Sequence, residues 1–346
     1  MLLQAQEETD LIVRVLQDHG VSRAAAETQA GVLVEGDLRG QHSHGLQRLP
    51  MLVARINNGV IAPVAQPRCT WLSESFLEVD GQRGLGPVVA FDVIARLVER
   101  ADEVGMAIGA VRNSNHLGML SCYVEPIAAA GRVGIALTTS EALVHPWGGK
   151  RAMVGTNPIG VGVPSGDDPF VLDMSTGAVS RGKILAFARN SQVIPPGWAL
   201  DSDGNSTTDS KRAVDGAISP FGGSKGYALG IALELIVAIL TDSGLGEQVR
   251  GTLDSEAVCN KGDLFIVFSP ERLGLSGAVD RVAGYLKEVR ASPLANGAER
   301  IDIPGDRSRR LRRRRIESGI PIDAAVWQAA EDLLKEGDHY GRPPAT

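Results

Sequence analysis

The middle of this chain alternates short apolar strands with stretches of helical period, and no other feature restricts the fold as much. Residues 76–80, Phe-Leu-Glu-Val-Asp, read as a strand, because alternate positions are apolar. Gly81, Gly84 and Gly86 then read as a loop, and residues 88–104 repeat apolar side chains at helical spacing. Residues 107–111 and 133–137 are short apolar strands, with a helical stretch, 123–130, between them. Residues 170–173 and 264–268 are two further strands. Strands alternating with helices predict an α/β fold.

The flanks differ. Leu11, Ile12, Val15 and Leu16 recur at helical spacing up to Gly20, and Ser22 is placed to cap a second helix. Arg39, Gly40, Gln41 and His42 break that helix, and a third closes at Asn58-Gly59 with Pro50 in its first turn. At the other end, Pro304, Gly305 and Asp306 form a turn, residues 322–334 an amphipathic helix, and Arg342, Pro343 and Pro344 a frayed tail. Between them, Arg307, Arg309, Arg310, Arg312, Arg313, Arg314 and Arg315 crowd seven arginines into nine positions. They cover several faces of a helix, so a solvated or inter-subunit helix is expected rather than a nucleic-acid stripe. Residues 197–215, rich in Asp, Ser, Thr and Gly, are expected to form a long surface loop.

A net charge of -6 argues against a general nucleic-acid or anionic-membrane surface. With 4% aromatic residues there is no base-stacking platform. Cys69, Cys122 and Cys259 are few and far apart, so reduced thiols in a cytoplasm are expected rather than disulfides or a zinc knuckle. Glu7, Glu8 and Asp10 stand where a signal peptide would be basic and then apolar. The longest apolar segment, 227–240, holds Glu234 and is shorter than the roughly 18–20 residues that span a bilayer. A buried helix is expected there.

Two polar, glycine-flanked patches carry the chemistry: Ser43-His44-Gly45 with Arg48, and Asn113-Ser114-Asn115-His116-Leu117-Gly118. Histidine passes protons near neutral pH, and arginine grips a carboxylate with two parallel hydrogen bonds. Two imidazoles, a hydroxyl and a guanidinium suit the reduction of a carbonyl beside a carboxylate. Hydride chemistry needs a cofactor, yet no GxGxxG follows a strand and opens a helix; Gly160, Gly162 and Gly166 only approach it. Gly222-Gly223-Ser224-Lys225-Gly226, just before the helix from Tyr227, could cradle a phosphate. Gly155-Thr156-Asn157-Pro158 and Asp173-Met174-Ser175-Thr176 could hold a nicotinamide amide or a ribose, or be plain turn and strand-cap chemistry.

These motifs, in this order, resemble the type-2 malate/L-lactate dehydrogenase family over nearly the whole chain. The markers are Asp37-Leu38-Arg39-Gly40 with Ser43, His44, Gly45 and Arg48; residues 111–118; Gly148-Gly149; residues 155–158 and 173–176; Pro220-Phe221-Gly222-Gly223 with Lys225-Gly226; and the Pro304, Gly305, Asp306 turn. The resemblance implies a non-Rossmann α/β fold, with a cofactor domain over residues 76–294 and a helical substrate and dimerisation region from residues 1–75 with 295–346. It implies an NAD- or NADP-dependent oxidoreductase acting on a small 2-oxo or 2-hydroxy acid such as malate, lactate or sulfolactate. No metal and a homodimer are implied. His116 would be the proton donor and acceptor, and Ser43, His44 and Arg48 would line the substrate pocket. Ser140, Asp173, Met174, Ser175, Gly223, Lys225, Pro304, Gly305 and Asp306 would contact the cofactor. Gln41-His42 replaces the family's usual Ile-Asp, and Met51-Leu52 stands where many members carry tyrosine; both departures fall beside the expected substrate. A cyclic ketimine reductase is the enzymatic alternative. A non-catalytic nucleotide- or nucleic-acid-binding protein is the alternative of another class, against which the intact histidines and Arg48 speak.

Overall fold

The computed structural model describes residues 1–166 and 168–340, so Arg342, Pro343 and Pro344 lie outside the described residues. Its centre is a seven-stranded sheet. In spatial order the strands are Arg68–Trp71, Phe76–Gly84, Met106–Ser114, Asp263–Phe268, Val133–Thr138, Ile159–Val163 and Phe170–Met174. Phe76–Gly84 and Met106–Ser114 run parallel, joined by the helix Gly86–Val104, and every other neighbouring pair is antiparallel. The fold is therefore mixed α/β, as the alternation predicted, but most of its pairings are antiparallel. The first strand also runs longer than expected. It continues through the supposed loop to Gly84, with Gln82 and Arg83 in left-handed conformations at its irregular end.

Helices cover both faces of the sheet. Val89, Val93 and Leu97 of Gly86–Val104, with Tyr123, Val124 and Ile127 of Ser121–Ala129, pack against Leu77, Val79, Phe265 and Val267. Gly160 and Gly162 belong to this packing and not to a phosphate loop. A Cβ on Gly160 would lie 2.7 Å from Leu120 Cβ, and one on Gly162 would collide with the Val124 carbonyl. The missing side chains let Ser121–Ala129 approach the strand Ile159–Val163.

On the opposite face, Leu233 and Val237 of the helix Ser224–Thr241 pack on Leu137 and Leu264. This helix is 18 residues long and apolar enough, by length and composition, to cross a membrane. Glu234, expected to count against that, is buried and accepts hydrogen bonds from the Gly155 N–H and Asn157 Nδ2. The expectation of a fully buried helix fails on the outer face. Leu229, Leu235, Ile236, Ile239 and Leu240 are exposed, because the sheet covers only one side of an all-round apolar helix.

The chain ends share one core. Helices Ala5–Asp18, Arg23–Leu38 and Leu49–Asn57 bury Ile12, Leu16, Leu33, Leu49 and Val53 together with Ile320, Ala330 and Leu333. Ser22 caps its helix as predicted, its hydroxyl accepting the Ala25 N–H at 3.4 Å. A smaller five-stranded sheet lies beside the main one and takes in the segment expected to be a surface loop. There the strands Ala199–Leu200 and Ser206–Thr207 and the helix Ser210–Val214 bury Ala199, Asp201, Thr207 and Ala213.

The arginine-rich segment is the helix Asp306–Ser318, and much of it is paired rather than solvated. Arg309 is buried, donating to the Pro169 carbonyl at 2.7 Å and to Asp306 at 2.9 Å, with Glu125 beside it. Arg312 reaches Glu35 at 2.7 Å, Arg310 reaches Asp302 at 2.6 Å, and Arg315 donates to the Asp37 carbonyl. Asp302 and Asp306 are near these arginines in sequence, whereas Glu35 and Glu125 are distant.

Candidate active site

The strand Met106–Ser114 delivers the chain to His116, and the turn that follows is fixed by buried polar groups. Asn113 takes a left-handed φ of 54°. Asn115 is buried; its Nδ2 donates to the carbonyls of Arg83 and Gly84 at 2.9 and 2.8 Å, and its Oδ1 accepts from Arg55 at 3.0 Å. Asn113 and Asn115 thus hold the turn and leave chemistry to the histidine. The Gly118 N–H donates to His116 Nδ1 at 3.2 Å, which puts the proton of the neutral ring on Nε2.

His44 ends a short 3-10 turn, His42–His44, followed by a second, Leu46–Arg48. Asp37 anchors both: its carboxylate accepts the Leu46 N–H at 2.6 Å and meets His42 Nδ1 at 2.5 Å. His42 is thereby occupied away from the cavity, whereas Gln41 lines it. The two functional rings stack, with centroids 5.3 Å apart and planes 10° apart. Burial and the nearby Arg48 guanidinium lower the His44 pKa to about 4 and push His116 well below its ordinary 6.5. Both imidazoles are neutral at neutral pH. His44 Nδ1 is buried and has no protein partner.

One cavity of about 1370 Å³ joins these rings to residues from every layer. It exceeds the roughly 300–1,000 Å³ usual for one small ligand, so it has room for more than one small molecule. Of the residues expected at the site, Ser43, His44, Arg48, His116, Ser140, Asp173, Met174, Ser175, Pro304 and Gly305 line it. Three others stand apart from its lining. Gly223 and Lys225 sit at the start of Ser224–Thr241, with Lys225 exposed, and the cavity does not reach them. Asp306 braces the turn instead of facing the cavity. Burial would raise its carboxyl, but Arg290 at 2.9 Å, the Ile303 N–H and Arg309 hold it at about 2. In the 155–158 segment, Thr156 and Pro158 face the cavity. Asn157 is buried and bonded to Gly230 and Glu234, so it supports the wall. Met51 and Leu52 line a second, small cavity of about 20 Å³ against Arg48 and His116.

Several lining residues gave no motif. Glu141 Oε1 accepts from the Thr252 N–H and hydroxyl and the Leu253 N–H at 2.7, 3.1 and 2.8 Å, and pins that loop over the site. Arg48 donates to the Thr252 carbonyl at 3.3 Å and Arg55 to the Asp254 carbonyl at 2.6 Å. Lys261 is buried at the cavity wall, paired with Asp263, which also accepts from Thr138. The available signal was Lys261-Gly262-Asp263 at the head of an apolar strand, two opposite charges on one face. Among the described residues, no group of three or more His, Cys, Asp or Glu side chains is placed to hold a metal ion.

The whole-chain comparisons agree with this geometry. The profile of the malate/L-lactate dehydrogenase family matches residues 3–331. A solved dehydrogenase from Sinorhizobium meliloti superposes with a TM-score of 0.93 at 45% identity, covering 96% of this chain and 98% of that one. A malate/(S)-sulfolactate dehydrogenase of Methanothermus fervidus is 35% identical over 97% of this chain and 98% of its own length. A delta(1)-pyrroline-2-carboxylate reductase of Burkholderia ambifaria is 36% identical over 96% of this chain and 98% of its own.

Proposed function

Because the chain belongs to the malate/L-lactate dehydrogenase family and is an oxidoreductase, we propose that it moves hydride between a nicotinamide dinucleotide and a small 2-oxo or 2-hydroxy acid of the malate, lactate or sulfolactate kind. One observation carries this reading: two stacked, neutral imidazoles and Arg48 share a cavity with the Asp173, Met174, Ser175 segment. The bound dinucleotide supplies the hydride. Ser140, Met174, Ser175, Pro304 and Gly305 are the residues that would hold it. Arg48 grips the substrate carboxylate through its guanidinium fork. Taking a proton from solvent on Nδ1, His116 would become the imidazolium that gives its Nε2 proton to the carbonyl oxygen and returns to a neutral ring, and Ser43 would orient that oxygen. His44, whose buried Nδ1 has no partner among the described residues, stacks on His116 and is a second ring that could pass the proton on. Glu141, by pinning the Thr252 loop over the site, limits water there.

The test is a panel of 2-oxo acids and cyclic imines, with NADH and NADPH in turn, followed by loss of nicotinamide absorbance, with and without chelator. Turnover of at least one 2-oxo acid, unaffected by chelator, is the expected outcome. His116→Ala should lower that turnover by roughly 10²–10⁴-fold, the usual worth of a positioned acid or base. Near-normal turnover in His116→Ala, with loss in His44→Ala, would give the oxygen's proton to His44 alone. A cyclic ketimine is the second substrate reading, favoured by the apolar Met51 and Leu52 on the far side of His116. Activity on imines but not on 2-oxo acids would select it. The three cysteines are unpaired, which supports a reducing, cytoplasmic setting. The exposed apolar stripe of Ser224–Thr241 supports a homodimer. The shared core of the chain ends supports a helical region, 1–75 with 295–346, and a cofactor domain, 76–294, except that Arg68–Trp71 belongs to the central sheet and so to the cofactor domain.

A further inference from the structure

The cavity wall holds more positive charge than its own carboxylates use. Arg181 and Arg189 lie on the helix Arg181–Arg189, and Arg307 lies on the first turn of Asp306–Ser318; all three line the cavity. Among the described residues, none of the three has a side-chain hydrogen bond or ion pair. Of the other two arginines of the wall, Arg39 is held by carboxylates, and Arg48 is the one that the dehydrogenase reading gives to the substrate. Arg39 pairs with Glu35 at 2.7 Å and lies against Glu125, and Arg48 donates to Thr252. The acidic groups that line the cavity are Glu141, Asp173 and Asp254. Each already accepts backbone N–H groups, from Thr252 and Leu253, from Ser121, and from Gly251, Glu256 and Ala257.

The free arginines share a place in the fold. Phe170–Met174 is the edge strand of the main sheet, and the Val171 N–H donates to the Pro304 carbonyl at 3.1 Å. Arg307 follows that carbonyl by three residues. The chain leaving Met174 passes through Ser175 to Ser180, which caps the helix that carries Arg181 and Arg189. All three arginines line the cavity that Asp173 and Met174 of this strand also line.

Resting on the dehydrogenase reading above, we propose that Arg181, Arg189 and Arg307 form a subsite for the 2′-phosphate of NADP, so that the protein selects the phosphorylated dinucleotide. The pyrophosphate of either dinucleotide carries two charges, and a phosphate monoester adds roughly −1.5 to −2 more near pH 7. Arginine is the side chain that accommodates this group, whereas an NAD site offers a carboxylate to the bare ribose hydroxyl.

The experiment is calorimetric titration of the full-length protein with NADP⁺ and, separately, NAD⁺, which needs no substrate. NADP⁺ should bind at least about tenfold more tightly, the usual worth of one charge-assisted contact. In a triple variant, Arg181→Ser with Arg189→Ser and Arg307→Ser, that ratio should fall toward one. Circular dichroism checks the fold of the variant. Equal affinities in the wild-type protein overturn the subsite and leave the dehydrogenase reading standing. Failure to bind either dinucleotide overturns both. A variant that keeps the full ratio but raises KM for a 2-oxo acid also overturns the subsite, by assigning these cations to the substrate.

Discussion

At the scale of single residues, the site depends on side chains whose charge is set by burial. Among the described residues Arg48 makes one hydrogen bond, at 3.3 Å, so its fork is free for a carboxylate. Arg48→Lys should raise KM for a 2-oxo acid while leaving Tm nearly unchanged, because lysine keeps the charge and loses the fork. A lower Tm with unaltered KM would make Arg48 a structural residue. Glu8 is the other instructive group. It is buried, and burial, with the Asp37 carboxylate beside it and hydrogen-bonded to its protonated form, raises its pKa from 4.5 to about 9. A carboxyl raised on folding contributes stability that is complete below its unfolded value and is lost as pH climbs through its folded value. For Glu8 that window runs from 4.5 to about 9. Glu8→Gln, uncharged at every pH, should therefore raise Tm more at pH 8 than at pH 5. Equal shifts at the two pH values would show that Glu8 is ionised in the folded protein. Nothing in the sequence marks Glu8, which sits in an ordinary amphipathic helix whose partner, Asp37, is 29 positions away.

At the scale of elements, the legible parts were those with local causes. Ser22 caps the second helix, Pro50 opens the third, and the apolar pattern marks strands at 76–80 and 107–111, within Phe76–Gly84 and Met106–Ser114. The segment past Asp80 reads as a loop because glycines punctuate it, and it is irregular: Gln82 and Arg83 are left-handed and the pairing lapses until Gly84, while Asn115 ties the Arg83 and Gly84 carbonyls in place. Gly86 shows what such a glycine is for. It opens the helix Gly86–Val104, and a Cβ there would collide with the carbonyl oxygens of Asn115 and His116 and lie 2.8 Å from the His116 carbonyl carbon. Gly86→Ala should cost about 1–3 kcal/mol, the range for forced overpacking. It should also lower kcat by displacing the His116 turn, while dinucleotide affinity changes little. Unaltered kcat in a destabilised variant would mean that the turn absorbs the methyl group without moving the ring.

At the scale of the whole molecule, the outer face of Ser224–Thr241 is the feature that a lone chain does not explain. Ile239 is 82% exposed, and Leu235 and Ile236 repeat the exposure one turn earlier. Contiguous apolar surface of this kind marks association. Sedimentation should show a dimer, and Ile239→Glu should shift it to monomer by burying a charge in the contact. A variant that stays dimeric would place the contact on another face. Lys225 and Gly223 belong to the same question, since they start this helix outside the cavity of the single chain.

The amino-acid sequence by itself determined the α/β class, the helical ends and the residues with chemical character. Those depend on periodicity, capping and side-chain type, all of which act within a few positions. It also marked His44, Arg48 and His116 as a set, and the cavity does join them. Only the tertiary structure decided the rest. The largely antiparallel strand order, the pairing of Arg309 and Arg312 with Glu125 and Glu35, and the placement of Lys261, Arg181 and Arg307 around one cavity all join residues far apart in the chain. A charged side chain reads the same in sequence whether solvent or a distant carboxylate surrounds it. Which of the two it meets is set by the packing of the layers, because burial and partner together fix whether its charge is consumed or left free for a ligand.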